Sequence, residues 1–251
     1  MRWLRKFTSG EERNNMLELQ DVHSYYGTSY ILQGVSFSVP QGKCVALLGR
    51  NGAGKTTTIH TIVGLHKAKQ GSIRFKDQPI ESLPPHQISR LGIGFVPQGR
   101  RIFPSLTVKE NLTMPARKRK QEGRGHWGLE RIYELFPVLK ERENNFGTQL
   151  SGGQQQMLAI GRALMTNPEF LLMDEPSEGL APVIIDQVGE IIVQLKEAGL
   201  SILIVEQNIS LACKAADVIL IMNKGKIVWS GSPDELMVNE DVQHKYLGVS
   251  A

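Results

Sequence analysis

Gly49-Arg50-Asn51-Gly52-Ala53-Gly54-Lys55-Thr56-Thr57 decides how the rest of the chain is read. It fits the pattern Gly, any four residues, Gly, Lys, then Ser or Thr, and it follows the apolar run Val45–Leu48. The glycines let successive backbone N–H groups turn inward around an anion. The lysine reaches the outer phosphates, the hydroxyl takes magnesium, and the following helix aims its positive end at the charge. With a strand before it, the segment predicts a nucleoside triphosphate site built from Gly49, Asn51, Gly52, Ala53, Gly54, Lys55, Thr56 and Thr57.

Outward from that loop, the chain alternates between strands and helices. Leu17, Leu19 and Val22 open a strand, and Val35, Phe37 and Val39 alternate in a second before the turn Pro40-Gln41-Gly42, which suggests an antiparallel edge. Cys44–Leu48 is a strand feeding the loop, and a helix runs from about Lys55 to Val63. Ile73 and Phe75 mark a short strand after Gly71, Pro84-Pro85 opens a short helix, and Gly94–Val96 is another strand.

From about Thr107 to Asn167 the pattern turns helical, with Leu129, Ile132, Leu135, Phe136 and Leu139 at helical spacing. From Phe170 onward strands and helices alternate again: Phe170–Met173, a helix over Pro182–Glu197, Ile202–Val205, a further helix, and Val218–Met222. Pro182 suits a first helical turn and Gly199 suits a helix end. Asn223-Lys224-Gly225-Lys226 is a hairpin turn leading to a strand through Val228 and Trp229. Such alternation predicts an α/β fold with a mostly parallel sheet. The expected organisation is a tail over 1–14 and one domain over 15–251, with its core in about 15–97 and 167–251 and a helical subdomain inserted over about 98–166. No internal repeat is visible.

Composition agrees with this reading. A length of 251 residues, 41% hydrophobic and 22% charged, suits one globular domain with a sizeable interior. The net charge of +4 fits phosphate ligands or an anionic lipid surface without singling out nucleic acid. Cys44 and Cys213 lack metal-ligand spacing and read as free buried thiols of a reducing compartment. The apolar runs are too short to cross a bilayer, and Met1–Asn15, with Arg2, Arg5, Lys6 and Arg13, has no signal-peptide core. A cytosolic chain is expected. The basic run Arg117-Lys118-Arg119-Lys120 reads first as a solvated helix end, then as a lipid-headgroup contact; nucleic-acid binding comes last.

Two further segments carry chemistry. Phe170-Leu171-Leu172-Met173-Asp174-Glu175 is an apolar run ending in two acids. A buried parallel strand reads this way, and α/β sheets bind ligands at its C-terminal end. Asp174 is then placed to hold magnesium with Thr56, and Glu175 to polarise the attacking water, a role that contributes about 10²–10⁴-fold in rate. Leu150-Ser151-Gly152-Gly153-Gln154 precedes a helix with Met157, Ile160 and Leu164 on one face. Ser151 and the glycines form a second anion-binding helix start. One chain has no use for two triphosphate sites, so the second points to the nucleotide of another subunit.

Leu-Ser-Gly-Gly-Gln between a phosphate loop and a strand ending Asp-Glu resembles the signature of ABC transporter ATP-binding subunits, and the likeness runs from about Met16 to the end. Val96-Pro97-Gln98-Gly99-Arg100-Arg101-Ile102-Phe103, Tyr133–Pro137, Gln156–Leu164 and Glu206-Gln207-Asn208 resemble the branch that imports branched-chain amino acids, with urea or short-amide importers similar. The resemblance implies a P-loop NTPase (RecA-like) core, an antiparallel β subdomain and an inserted helical subdomain. It also implies ATP and Mg2+ as ligands.

By the same resemblance Tyr26 stacks on adenine, Gln98 contacts magnesium and water and senses the membrane subunit, and Glu175, Lys55, Gln98 and Gln207 form the catalytic set. Thr56, Gln98 and Asp174 would hold the metal, and Ser151, Gly153 and Gln154 would meet the nucleotide of a second ATPase subunit, identical or homologous. Ser177–Pro182 matches the loop that crosses the dimer interface, with Ala181 where most of the superfamily shows aspartate. Gln207 stands where most ABC ATPases place histidine. An amide can donate a hydrogen bond but carries no charge, and glutamine there favours the amino-acid branch over the lipopolysaccharide-export relative.

The implied partners are permease membrane subunits and, indirectly, a solute-binding protein, with no nucleic acid. The implied location is the cytoplasmic face of the inner membrane. Two rivals remain: an ABC ATPase acting on nucleic acid or ribosomes, and a small-molecule kinase, which leaves Leu150–Gln154 unexplained.

Overall fold

A computed structural model describes residues 14–117 and 125–248. The expected N-terminal tail, apart from Asn14, and Lys118–Lys120 of the basic run lie outside the described residues. The chain runs β1 (Asn15–Tyr26), β2 (Ser29–Pro40), β3 (Cys44–Leu48), α1 (Lys55–Ile62), β4 (Gln70–Phe75), β5 (Gln78–Pro79), α2 (Pro85–Leu91) and β6 (Ile93–Val96). Next come α3 (Val108–Thr113), α4 (Leu129–Leu135), α5 (Pro137–Glu141) and α6 (Gly152–Leu164). The chain continues with β7 (Phe170–Asp174), α7 (Pro182–Glu197), β8 (Ser201–Glu206), α8 (Ile209–Ala215), β9 (Val218–Asn223), β10 (Lys226–Gly231) and α9 (Pro233–Met237).

Two sheets form, a four-stranded antiparallel one in the order β2-β1-β4-β5 and a six-stranded one in the order β10-β9-β3-β8-β7-β6. In the larger sheet only β10 runs antiparallel, through the hairpin at Asn223–Lys226. Lys224 and Gly225 both have positive φ there, 46° and 76°, as the tight turn requires.

The fully buried strands β3, β7 and β8 have a simple cause. Cys44, Ala46 and Leu48 of β3 pack among α3–α8, whereas Val45 and Leu47 pack toward α1 and the antiparallel sheet. β7 and β8 divide in the same way, with Leu171, Met173, Ile202 and Ile204 on the first side and Phe170, Leu172, Leu203 and Val205 on the second. A strand covered on both faces has no solvent side, so polar alternation is lost.

The expectation of helical spacing over Leu129–Leu139 is met by two helices. Pro137 lacks an N–H and biases the residue before it away from α geometry, so Phe136 takes φ −130° and ψ 74° and α4 ends. Cys44 is fully buried but Cys213 only half-buried, and both are free thiols. Arg117, the one described member of the basic run, is anchored: its N–H donates to Met165 O at 3.0 Å and its guanidinium to Ser89 Oγ at 3.2 Å.

Candidate active site

The loop Gly49–Gly54 joins β3 to α1 under tight backbone constraints. A Cβ on Gly49 would sit 2.4 Å from the carbonyl oxygen of Met222, and Gly54 has φ +110° at the α1 N-cap. Neither position admits another residue without strain. Gly225 N–H donates to Ala53 O at 2.8 Å, so the β9–β10 hairpin braces the loop from outside. Lys55, the first residue of α1, is 4% exposed, and its ammonium donates to Arg50 O at 3.4 Å.

β3, β8 and β7 are neighbours, so their C-terminal ends deliver Lys55, Thr56, Gln207, Asp174 and Glu175 to one place. Thr56 Oγ1 donates to Asp174 Oδ1 at 3.2 Å. Asp174 is 1% exposed, and its Oδ2 is buried without a hydrogen-bond partner. Burial pushes the Asp174 carboxyl up to about 6; the neighbouring Glu175 adds to this, while the Thr56 hydroxyl and Lys55 pull the other way. A buried, half-satisfied carboxylate beside a hydroxyl is the hard-oxygen pair that suits magnesium. Among the described residues no group of three or more His, Cys, Asp or Glu side chains could form a metal cage by itself.

Glu175 is the junction of the cluster. Its Oε1 accepts from Lys55 Nζ at 3.2 Å and from Gln207 Nε2 at 2.8 Å, and its Oε2 accepts from Gln98 Nε2 at 3.3 Å. Its backbone is left-handed at φ 47°, a strained choice for a non-glycine, held by Glu175 N–H donating to Val205 O at 2.8 Å. Gln207 also donates to Asn51 Oδ1 in the phosphate loop, and Gln98 to Glu178 Oε1 at 3.1 Å. Gln98 thus commits its amide nitrogen to two carboxylates, so any metal ligation would fall to its amide oxygen.

The other expected residues stand apart from this cluster. Tyr26, at the end of β1, is 49% exposed and stacks on His66, ring centroids 4.1 Å apart and 26° between planes. Ser151 caps α6. Its Oγ accepts from Gln154 N–H at 3.3 Å, while Gln154 Oε1 accepts from Ser151 N–H at 2.9 Å. This capping box occupies two of the donors at the helix start and leaves those of Gly152 and Gly153 without an intrahelical acceptor. Gly153 is buried, and a Cβ there would meet Ile184 of α7 at 2.9 Å. No hydrogen bond or ion pair joins Ser151–Gln154 to Gly49–Thr57 among the described residues. In the loop Ser177–Pro182, Ala181 occupies the N-cap of α7 and supplies no side-chain cap.

Three groups were given no role by the sequence. Arg100, left-handed at φ 64°, reaches Gln155 Oε1, Glu178 O and Gly179 O, each at 3.4 Å, and so links the start of α6 to the loop after the acidic pair. His66 backs Tyr26. Glu206, 1% exposed, accepts three backbone N–H groups at 2.9–3.0 Å. Separately, a cavity of about 290 Å³ opens between α1, α2, β6 and α6, with Leu65, Phe95 and Arg162 in its lining.

The family model described as ABC transporter matches residues 32–178, more than half of the chain. The chain is 45% identical over 233 residues to the high-affinity branched-chain amino acid transport ATP-binding protein BraG of Pseudomonas aeruginosa, covering 93% of this chain and 100% of that protein. It is 36% identical over 236 residues to the lipopolysaccharide export system ATP-binding protein LptB of Haemophilus influenzae, covering 93% and 98%. A solved dimeric ATP-binding cassette, in a post-hydrolysis state with ADP and Pi, has a TM-score of 0.75 at 26% identity, covering 87% of this chain and 99% of that one.

Proposed function

The chain belongs to the ABC transporter family of ATP-binding proteins, and we propose that it is the ATP-hydrolysing subunit of an importer for branched-chain amino acids. The observation that carries the chemistry is the meeting of the phosphate loop, its lysine, Gln98 and Gln207 on one strained carboxylate, Glu175. For the solute, the support is the full-length 45% identity to BraG against 36% to LptB. Gln207, in place of histidine, points to the same branch.

ATP would lie along Gly49–Thr57, its outer phosphates on Lys55 and its adenine against Tyr26, whose other face is stiffened by His66. The triphosphate competes with Glu175 for Lys55, so arrival of the phosphate frees the carboxylate to face water. Glu175 then takes a proton from the water as its oxygen attacks the γ-phosphorus, and ADP and phosphate leave. Magnesium would be held by Thr56, Asp174 and the Gln98 amide oxygen, and it neutralises phosphate charge when bound.

Gln207 can donate to a phosphate oxygen but cannot act as a cationic acid. Ser151, Gly153 and Gln154 would close over the nucleotide of a second ATPase subunit, as the dimeric arrangement of the related cassette supports. Because ATP bridges both faces, it favours the closed pair, and hydrolysis reverses that preference.

The closing pair would drive permease subunits from the cytoplasmic face of the inner membrane, with a solute-binding protein acting through them. No helix among the described residues is long and apolar enough to cross a bilayer. β6 lines the cavity near α6 and leads directly to Gln98, so permease contact there would reach the catalytic cluster within a few residues. The test is isolation from native membranes followed by reconstitution with any permease subunits that co-purify. ATP-driven uptake of leucine, isoleucine and valine is expected; uptake of urea or acetamide instead, or co-purification with RNA and no permease, overturns the assignment.

A further inference from the structure

Glu206 lies in the stretch Glu206-Gln207-Asn208, yet the resemblance gives it no role. It ends β8, paired in register with Leu48 at the edge of the phosphate loop. Its Oε1 accepts from Ser177 N–H at 2.9 Å, and its Oε2 accepts from Gln207 N–H at 2.9 Å and Asn208 N–H at 3.0 Å. Among the described residues no lysine, arginine or histidine forms an ion pair with it. Among the described residues the donors to this buried carboxylate are backbone N–H groups.

Those N–H groups come from two loops, one holding Ser177, 29 residues away from Glu206, and the other beside Glu206 itself. One begins two residues after Glu175 and leads to the segment expected to cross to a second subunit. The other carries Gln207, whose amide bonds both Glu175 and Asn51. A group that merely filled space would be apolar here. Three N–H donors converging on one side chain call for an acceptor-only group with two oxygens, which a carboxylate is and an amide is not.

We propose that Glu206 is a positioning residue that locks the loop after the acidic pair to the Gln207 loop, so that contact with a second subunit and contact with the γ-phosphate change together. This rests on the ATPase reading above. Glu206 touches no reacting atom; it acts through the backbone of Ser177 and through Gln207. Glu206→Gln keeps size and removes one acceptor oxygen, turning an NH2 toward the N–H donors.

The experiment compares steady-state ATP hydrolysis by the full chain and by Glu206→Gln, Gln207→Ala and the double variant, with MgATP binding measured alongside. Glu206→Gln is expected to lower kcat by about tenfold to a hundredfold while KM stays within about threefold. The double variant is expected to be no slower than the slower single one, because both act on the same amide. A parental kcat in Glu206→Gln, or losses that multiply in the double variant, overturns the proposal. If instead the parent neither binds nor hydrolyses ATP, it is the ATPase reading that fails.

Hydrogen exchange on the parent chain needs no variant to fold. The amides of Ser177, Gln207 and Asn208 are expected to gain protection together when magnesium and a non-hydrolysable ATP analogue are added. Protection of Ser177 without the other two overturns the proposal.

Discussion

The cluster around Glu175 and the helix start at Ser151 are both anion-binding designs, but they are built in opposite ways. Around Glu175, Lys55, Gln98, Gln207 and Asn51 interlock through hydrogen bonds and one ion pair, and Lys55 and Asp174 are nearly inaccessible. At Ser151 the side chains cap only their own helix, the serine is exposed, and among the described residues no hydrogen bond or ion pair joins them to the phosphate loop of the same chain. The first region is a finished half-site tied into the core. The second is exposed and tied only to its own helix, and under the proposed function its counterpart would be a second subunit.

The sharpest test of the first half is Glu175→Gln. Phosphate release should fall by about 10²–10⁴-fold while ATP still binds and holds a dimer, because the general base is lost and the phosphate contacts are not. Turnover at the parental rate would break the assignment. Next in size is a mixing experiment that addresses the comparison itself. Lys55→Ala and Ser151→Arg should each be nearly inactive. Mixed in equal amounts they should recover about a quarter of parental activity, since half the pairs contain one intact composite site of two. No recovery would mean that the chain pairs with a homologous partner or that the two regions serve one nucleotide.

Asp174→Asn separates function from stability. The folded chain holds the Asp174 proton more tightly than the unfolded chain, at about 6 against an ordinary 3.8. The contribution of this carboxyl to stability is therefore greatest below pH 4 and declines as pH rises through about 6. At neutral pH, without magnesium, the ionised group costs up to roughly 3 kcal/mol. The asparagine variant should melt higher than the parent at pH 7, show a smaller decline between pH 4 and 7, and lose magnesium-dependent turnover. A lower melting temperature would show that the carboxylate is stabilised by contacts other than those seen. The smallest effect belongs to the outward half. Ser151→Ala breaks the capping box and should cost about 1 kcal/mol in urea unfolding, with a larger loss in turnover than in stability.

The sequence exposed these two halves unequally. The phosphate loop, the strand ending Asp174-Glu175 and the Ser151 signature are each contiguous, so their residue types alone announce them. β3, β7 and β8 of the larger sheet were equally plain, because burial on both faces leaves nearly uninterrupted apolar runs. The break at Phe136-Pro137 was less visible, since the apolar spacing continues across it while the backbone does not. Arg100 and Glu206 lie in stretches that carry the resemblance, yet neither they nor His66 received a role, for an arginine, a histidine or a glutamate in a loop or at a strand end usually faces solvent.

What the sequence determined by itself was therefore local: which segments are strands and helices, where the phosphate loop lies, and which acids end β7. These follow from periodicity, glycine placement and capping, each decided within a few residues. Only the tertiary structure decided that β3, β8 and β7 lie side by side, bringing Gln207 and Lys55 onto Glu175 and three backbone N–H groups onto Glu206. With the Gln207–Asn51 bond, those contacts join residues up to 156 positions apart, and strand order, which no local pattern encodes, fixes them.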